Sequence, residues 1–312
     1  MEGLLVELLS TTSLTEYTVP DYRKEFGCYH NSASGGTQST YENIFKLYLR
    51  KEYKMQFPMS ARPRAGQVVQ EGGNHYFGLH DYSPVRGQQE GLSVDESIRH
   101  AMTEYMNYTP IKWDGGKDAD VYEACKDVIP QMIRHAIDGL EEYFGKNVEL
   151  VGEYQRTFKD DRLDIPTIMF LDFADDTRQI DLKCSLPMAN PTKKDGTRTW
   201  RVPKPKTEPT MQQVMQQAVY WKGTGLTPAL LFVTAEGYHL ATPDNCDMLK
   251  PSVLNEMYES IVQRWLVLQN LMKAANGNWK KLFGMVTPDY AEIAQRHGPE
   301  ILDIAKQAWR AE

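Results

Sequence analysis

Two apolar segments with charges set into them constrain this chain more than any other feature: Ile165-Pro-Thr-Ile-Met-Phe-Leu-Asp-Phe-Ala174 and Arg178-Gln-Ile-Asp-Leu-Lys-Cys184. They read as two strands joined by a polar turn. Side chains alternate faces along a strand, so Asp181 and Lys183 share one face while Ile180, Leu182 and Cys184 share the other. With a two-residue loop at Asp176-Thr177, Asp172 lies directly opposite Asp181, with Cβ atoms roughly 4.5–5.5 Å apart. With the loop at Asp175-Asp176 the pair becomes diagonal, but both carboxylates keep one face. Two acids and one ammonium on a patch of mostly buried sheet need compensation. A cross-strand salt bridge from Lys183 supplies part of it, and a divalent metal with oxygen ligands supplies it more fully.

The rest of the sequence narrows the setting. A chain of 312 residues, 41% hydrophobic and 25% charged, can bury a full core. The opening Gly3-Leu-Leu-Val-Glu-Leu-Leu9 is short, interrupted by Glu7 and lacks a basic flank. It fits neither a signal peptide nor a membrane span, so no membrane partner is expected. Cys28, Cys125, Cys184 and Cys246 are far apart with no CxxC pair, which argues against zinc or iron–sulfur centres. Reduced thiols and a cytoplasmic location are the simple expectation.

The net charge of -7 excludes a protein coated in nucleic acid but not local binding. Basic residues cluster from Lys46 to Arg64 and again from Lys193 to Lys206. The second run, with Lys193, Lys194, Arg198, Arg201 and the aromatic Trp200, follows closely on Lys183. A substrate-facing loop is expected there, with its cations tracking a phosphate backbone.

Helices are expected over Tyr41–Tyr53, Val94–Tyr108 and Val121–Phe144, the last kinked at Pro130 and stopped by Gly145. Gly72 to Gly87 reads as loop. A strand follows at Val148–Phe158, then the hairpin, then a helix opened by the capping box Thr210-Met-Gln-Gln213 and ending near Gly223. Strands at Pro228–Thr234 and Tyr238–Thr242, a long amphipathic helix at Val253–Met272 and two shorter helices complete the chain. Asp164, in the loop before Pro166, reads as a turn residue.

The order helix, three strands, helix, strand, with an acid on the second strand and Asp-x-Lys on the third, resembles the PD-(D/E)xK nuclease superfamily. Gln216 and Tyr220, four apart on the next helix, are similar to the Gln-x-x-x-Tyr motif of its RecB-type branch, which includes mitochondrial genome maintenance exonucleases. The resemblance covers roughly residues 148–242. It implies an α/β fold with a restriction-endonuclease-like core over 121–245, a helical N-terminal lobe over 1–120 and C-terminal helices over 246–312. It implies further that Asp172, Asp181 and the Leu182 carbonyl hold the metal and that Lys183 positions or activates the attacking water. Gln216 and Tyr220 would steady the lysine and the substrate strand. Glu153 would be an outer or extra metal ligand. The branch's histidine ligand, four residues after a glycine, is replaced here by Gln70, with Glu71 and His100 as rivals for its task.

Hard oxygen ligands point to Mg²⁺ or Mn²⁺. The function these features lead to is a metal-dependent DNA exonuclease acting on single strands or duplex ends, with Trp200 or Tyr220 available to stack on a base. The alternative of a different class is a catalytically silent DNA-binding or scaffold protein of the same fold.

Overall fold

In a computed structural model the described residues are 17–55, 59–79, 90–110, 117–146, 148–192, 198–297 and 299–310, without the side chains of 153, 154 and 295–300. The chain is an α/β protein with a mixed sheet and many helices. Its contacts divide the described residues into one unit of 59–155 and 170–254, and a second of 17–55, 156–169 and 255–310. Residues 59–120 group with the sheet, and the N-terminal stretch before them groups with the C-terminal helices. No helix among the described residues is long and apolar enough to cross a membrane.

The first unit holds helices α1 (Ala61–Tyr76), α2 (Val94–Met106), α3 (Lys117–Lys126) and α4 (Ile129–Phe144). It continues with strands β1 (Val151–Phe158) and β2 (Thr167–Ala174), of which 156–158 and 167–169 group with the second unit, then β3 (Arg178–Cys184), helix α5 (Met211–Thr224), β4 (Thr227–Thr234) and β5 (Gly237–Ala241). Strand order is β2-β3-β4-β5, with β1 also paired to β2. Neighbours β2 and β3 are antiparallel, β3 and β4 parallel, β4 and β5 antiparallel. A parallel pair needs a crossover connection, and α5 is the helix within it.

Two sequence expectations change for identifiable reasons. The single helix expected over Val121–Phe144 is two helices, with Pro130 in the first turn of α4. A proline there loses no intrahelical bond, because first-turn N–H groups have no partner anyway. Gly72 and Gly73, read as loop, lie inside α1. A Cβ on Gly72 would stand 2.6 Å from Cγ2 of Ile133, and one on Gly73 would stand 2.9 Å from Cζ of Phe173. These glycines serve close packing of α1 on α4 and on β2, not a turn.

The core of this unit joins Val68, Val69, Met132, Ile133, Ala136 and Leu140 from α1 and α4 to Phe173, Ile180, Leu231 and Val233 from the sheet. That uses the Ile180 face of β3. The opposite face, carrying Asp181 and Lys183, meets α5.

In the second unit Asn31 and Ser32 pair in parallel with Thr167 and Ile168. Phe26, Ile44, Ile165, Leu268, Met272 and Phe283 form its main core, and Phe45, Leu49, Ile293, Ile301 and Ala305 a smaller cluster. Asp164 belongs to this unit and is no mere turn residue. Its carboxylate takes the Arg23 guanidinium at 2.8 Å, and Arg23 is completely buried.

Candidate active site

The hairpin between β2 and β3 fixes the geometry of the acids. The Asp175 N–H donates to the Arg178 carbonyl at 2.9 Å, leaving a two-residue loop at Asp176-Thr177. The Asp175 carboxylate accepts the N–H groups of Thr177 and Arg178 and pairs with the Arg178 side chain at 2.6 Å, which locks that loop. The ladder then runs Ala174↔Gln179 and Phe173↔Ile180. One step further in the same register sets Asp172 across from Asp181. The paired ladder ends there, and the Leu182 N–H donates to Oδ2 of Asp172 at 2.7 Å.

From these acids a chain of polar contacts runs into α5. Lys183 Nζ lies 2.6 Å from Oδ2 of Asp181 and donates to Oε1 of Gln216 at 3.0 Å. Gln216 Nε2 donates to the Tyr220 hydroxyl at 2.6 Å. The four-residue spacing puts Gln216 and Tyr220 on one helix face, and α5 is positioned by the Thr210–Gln213 capping box and by Gly225 at φ 74°. Asp172, Asp181, Lys183, Gln216 and Tyr220 are thus brought together in one cluster.

Electrostatics follow from two acids sharing one low-dielectric patch. Burial, and then the charge of Asp181, raise the Asp172 carboxyl well above the usual carboxylate range. Burial acts to lower the Lys183 ammonium, but the Asp181 carboxylate beside it outweighs that and leaves it raised. Lys183 is therefore a charged donor at neutral pH, not a free base. Burial and the nearby Asp172 push the Cys184 thiol up to about 12, so it stays protonated and is no nucleophile.

A cleft of about 390 Å³ opens at the C-terminal end of β3. Its lining includes Leu182, Lys183 and Ser185 from the strand end, Arg62 and Gln70 from α1, Gln213 from α5 and Lys206. Ligands in α/β sheets bind at the carboxyl ends of parallel strands, and this cleft sits at such a place. Gln70 lines this cleft. Glu71 pairs with Arg64 at 2.8 Å, and His100 is exposed with its ring against His75. The Glu153 side chain lies outside the described residues. Among the described residues no three His, Cys, Asp or Glu side chains form a metal-holding group.

The basic loop is only partly described. Lys193 and Lys194 lie outside the described residues. Trp200 and Arg201 form a two-residue ladder with Met188 and Ala189, Trp200 half-buried and Arg201 exposed. Arg198 is held by Asp120 at 2.6 Å, which reduces its charge toward any ligand. Tyr220 is 5% exposed, so its ring is not open to stack on a base, contrary to expectation.

Sequence reasoning missed Gln217. Its side chain is completely buried under α5, and its Nε2 donates at 3.1 Å to the Asp181 Oδ2 that Lys183 also contacts. In Gln216-Gln217 the helical spacing to Tyr220 singled out only the first residue, although adjacent helix positions can reach adjacent strand positions. A hydrogen bond to a charged group is worth about 1.5–3 kcal/mol. Gln217→Leu should therefore lower stability by at most about that amount, since it also removes an Oε1 that has no partner among the described residues, read as a fall in the urea midpoint at unchanged slope. A variant as stable as the parent would mean that Lys183 alone suffices to hold Asp181.

No family model, curated protein or solved structure matches this chain.

Proposed function

We propose that this chain is a metal-dependent nuclease that hydrolyses phosphodiester bonds in DNA, built on a restriction-endonuclease-like core. The observation that carries the reading is the continuous polar chain from Asp172 and Asp181 through Lys183 and Gln216 to Tyr220, of which Lys183 lines a cleft. The donor set suits a hard divalent cation. With both carboxylates ionised two negative charges would outweigh one ammonium, and burial first, then the Asp181 charge, raise the Asp172 carboxyl against that state. Mg²⁺ is typically bound by one or two carboxylates, with water and substrate phosphate completing its shell.

Asp172 and Asp181, with the Leu182 carbonyl, would hold Mg²⁺ or Mn²⁺. When bound, the ion supplies a lowered water pKa and polarisation of the phosphate. Lys183, kept charged by Asp181 and aimed by Gln216, orients the attacking water and stabilises negative charge developing on the phosphate. Gln217 keeps the Asp181 carboxylate from turning. Arg62 and Lys206 line the cleft and would meet the flanking backbone, Lys206 belonging to the basic run for which that role was expected.

End-labelled DNA, linear and circular, single- and double-stranded, incubated with Mg²⁺, Mn²⁺ or EDTA, tests the reading. Cleavage with the metals and none in EDTA supports it, and loss of linear but not circular substrate marks exonuclease action. The competing reading is a silent fold in which Lys183 only neutralises Asp181, and the 2.6 Å pair favours it. Binding of DNA without cleavage under every metal condition would select it.

The cleft cations yield a separate expectation. Arg62→Gln with Lys206→Gln should weaken single-strand binding and flatten its salt dependence, by about 0.7 in log–log slope per lost contact. Arg198→Gln should do less, because Asp120 already holds that guanidinium. Titrations at several salt concentrations read both, and a larger effect from Arg198 would place the backbone along the basic loop instead.

A further inference from the structure

Phe170 does not behave like the rest of β2. Met169, Leu171 and Phe173 are buried on the core face, and Ile168 and Ala174 are buried too, yet Phe170 is 55% exposed. A single exposed apolar side chain on an outer surface needs no explanation. Phe170 is instead on a strand paired to β1 and to β3, where a large open ring is out of place. Alternation puts it on the face of Asp172, two residues and about 6.5 Å along the strand. The ring therefore lies on the Asp172 face of β2, beyond the last paired residues Phe173 and Ile180.

We propose that Phe170 is the surface on which a nucleobase of the substrate strand stacks while its backbone lies at Asp172, Asp181 and Lys183. The inference rests on the nuclease reading and adds how the strand is held. An aromatic ring offers a sequence-tolerant platform, because every base presents a π-face, and it complements cations that grip only the backbone. The neighbouring aromatic Tyr220 is closed off by burial and by Gln216. Phe170 has no such cover.

The test uses the full chain in EDTA, so that no strand is cut, with short single-stranded DNA carrying a fluorescent adenine analogue at successive positions. Stacking should quench the analogue strongly at one place in the strand. Phe170→Ala and Phe170→Leu should abolish that quenching and weaken binding about 5- to 100-fold, the range that base–aromatic stacking supports. Phe170→Trp should retain both. An abasic site at the quenched position should weaken binding by the parent protein by a similar factor and leave Phe170→Ala almost unaffected. A ring this exposed is not needed for the core, so circular dichroism and thermal midpoints should match the parent. Equal affinity and equal quenching in Phe170→Ala overturn the stacking inference while leaving the nuclease reading standing. Failure of the parent chain to bind any strand overturns the stacking inference, while cleavage of end-labelled DNA with Mg²⁺ or Mn²⁺ decides the nuclease reading separately.

Discussion

Asp181→Asn should lower the rate of DNA cleavage by about two to four orders of magnitude and leave the fold intact. Asp181 is 4% exposed, and its Oδ2 accepts from both Lys183 and Gln217. An asparagine with its oxygen in that place keeps both contacts while removing the charge that holds a cation. Lys183→Ala should also abolish cleavage, but it is the less clean change. It strips the counter-charge from a buried carboxylate and leaves two acids facing each other, which costs stability in its own right. Lys183→Met in the Asp181→Asn background removes both charges together and should be better folded than Lys183→Ala. Initial rates at saturating Mn²⁺, beside urea midpoints for all three variants, separate chemistry from folding. Parent-level cleavage by a folded Asp181→Asn protein would remove Asp181 from the chemistry.

The hairpin was legible because its rule is strict. Strand alternation has a period of two, so charges inside apolar runs declare their face, and a short polar turn fixes which residues oppose. The helix after the basic loop was legible through its capping box at Thr210 and Gln213. What escaped is what local pattern does not encode. Gly72 and Gly73 carry the composition of a turn, and only the volumes of Ile133 and Phe173 explain their place in a helix. Asp120 lies 78 residues before Arg198, and nothing near either announces their pairing. Gln217 was hidden by its neighbour, since helix spacing identifies faces more readily than depth of burial. Phe170 looked like one more apolar strand residue, because sequence gives no measure of exposure where neighbouring strands cease to pair.

The largest loss of stability should come from a residue whose partner is equally invisible in sequence. Arg23 is completely buried, and Asp164, 141 residues away, receives its Nη2 at 2.8 Å and its Nε at 3.2 Å. The Tyr22 hydroxyl donates to the same carboxylate, and the Asp164 N–H is capped by Gln269 at 2.9 Å. Among the described residues the remaining guanidinium nitrogen meets sulfur, Cys28 Sγ at 3.4 Å and Met272 Sδ at 3.1 Å, both weak acceptors. Burial lowers the Arg23 pKa, yet an arginine cannot escape by losing its proton. Asp164→Ala therefore leaves a buried cation with no counter-ion, a change that costs about 3–5 kcal/mol. Natural domains have about 5–15 kcal/mol in all, so this variant should be largely unfolded at modest urea. The double change Arg23→Met with Asp164→Leu removes both charges from a site already lined by Phe26, Ile165 and Met272, and should recover most of the loss. Urea midpoints of the parent, the single and the double variants measure it. A single variant within about 1 kcal/mol of the parent would show that water reaches Arg23 and that the pair is not a dry one.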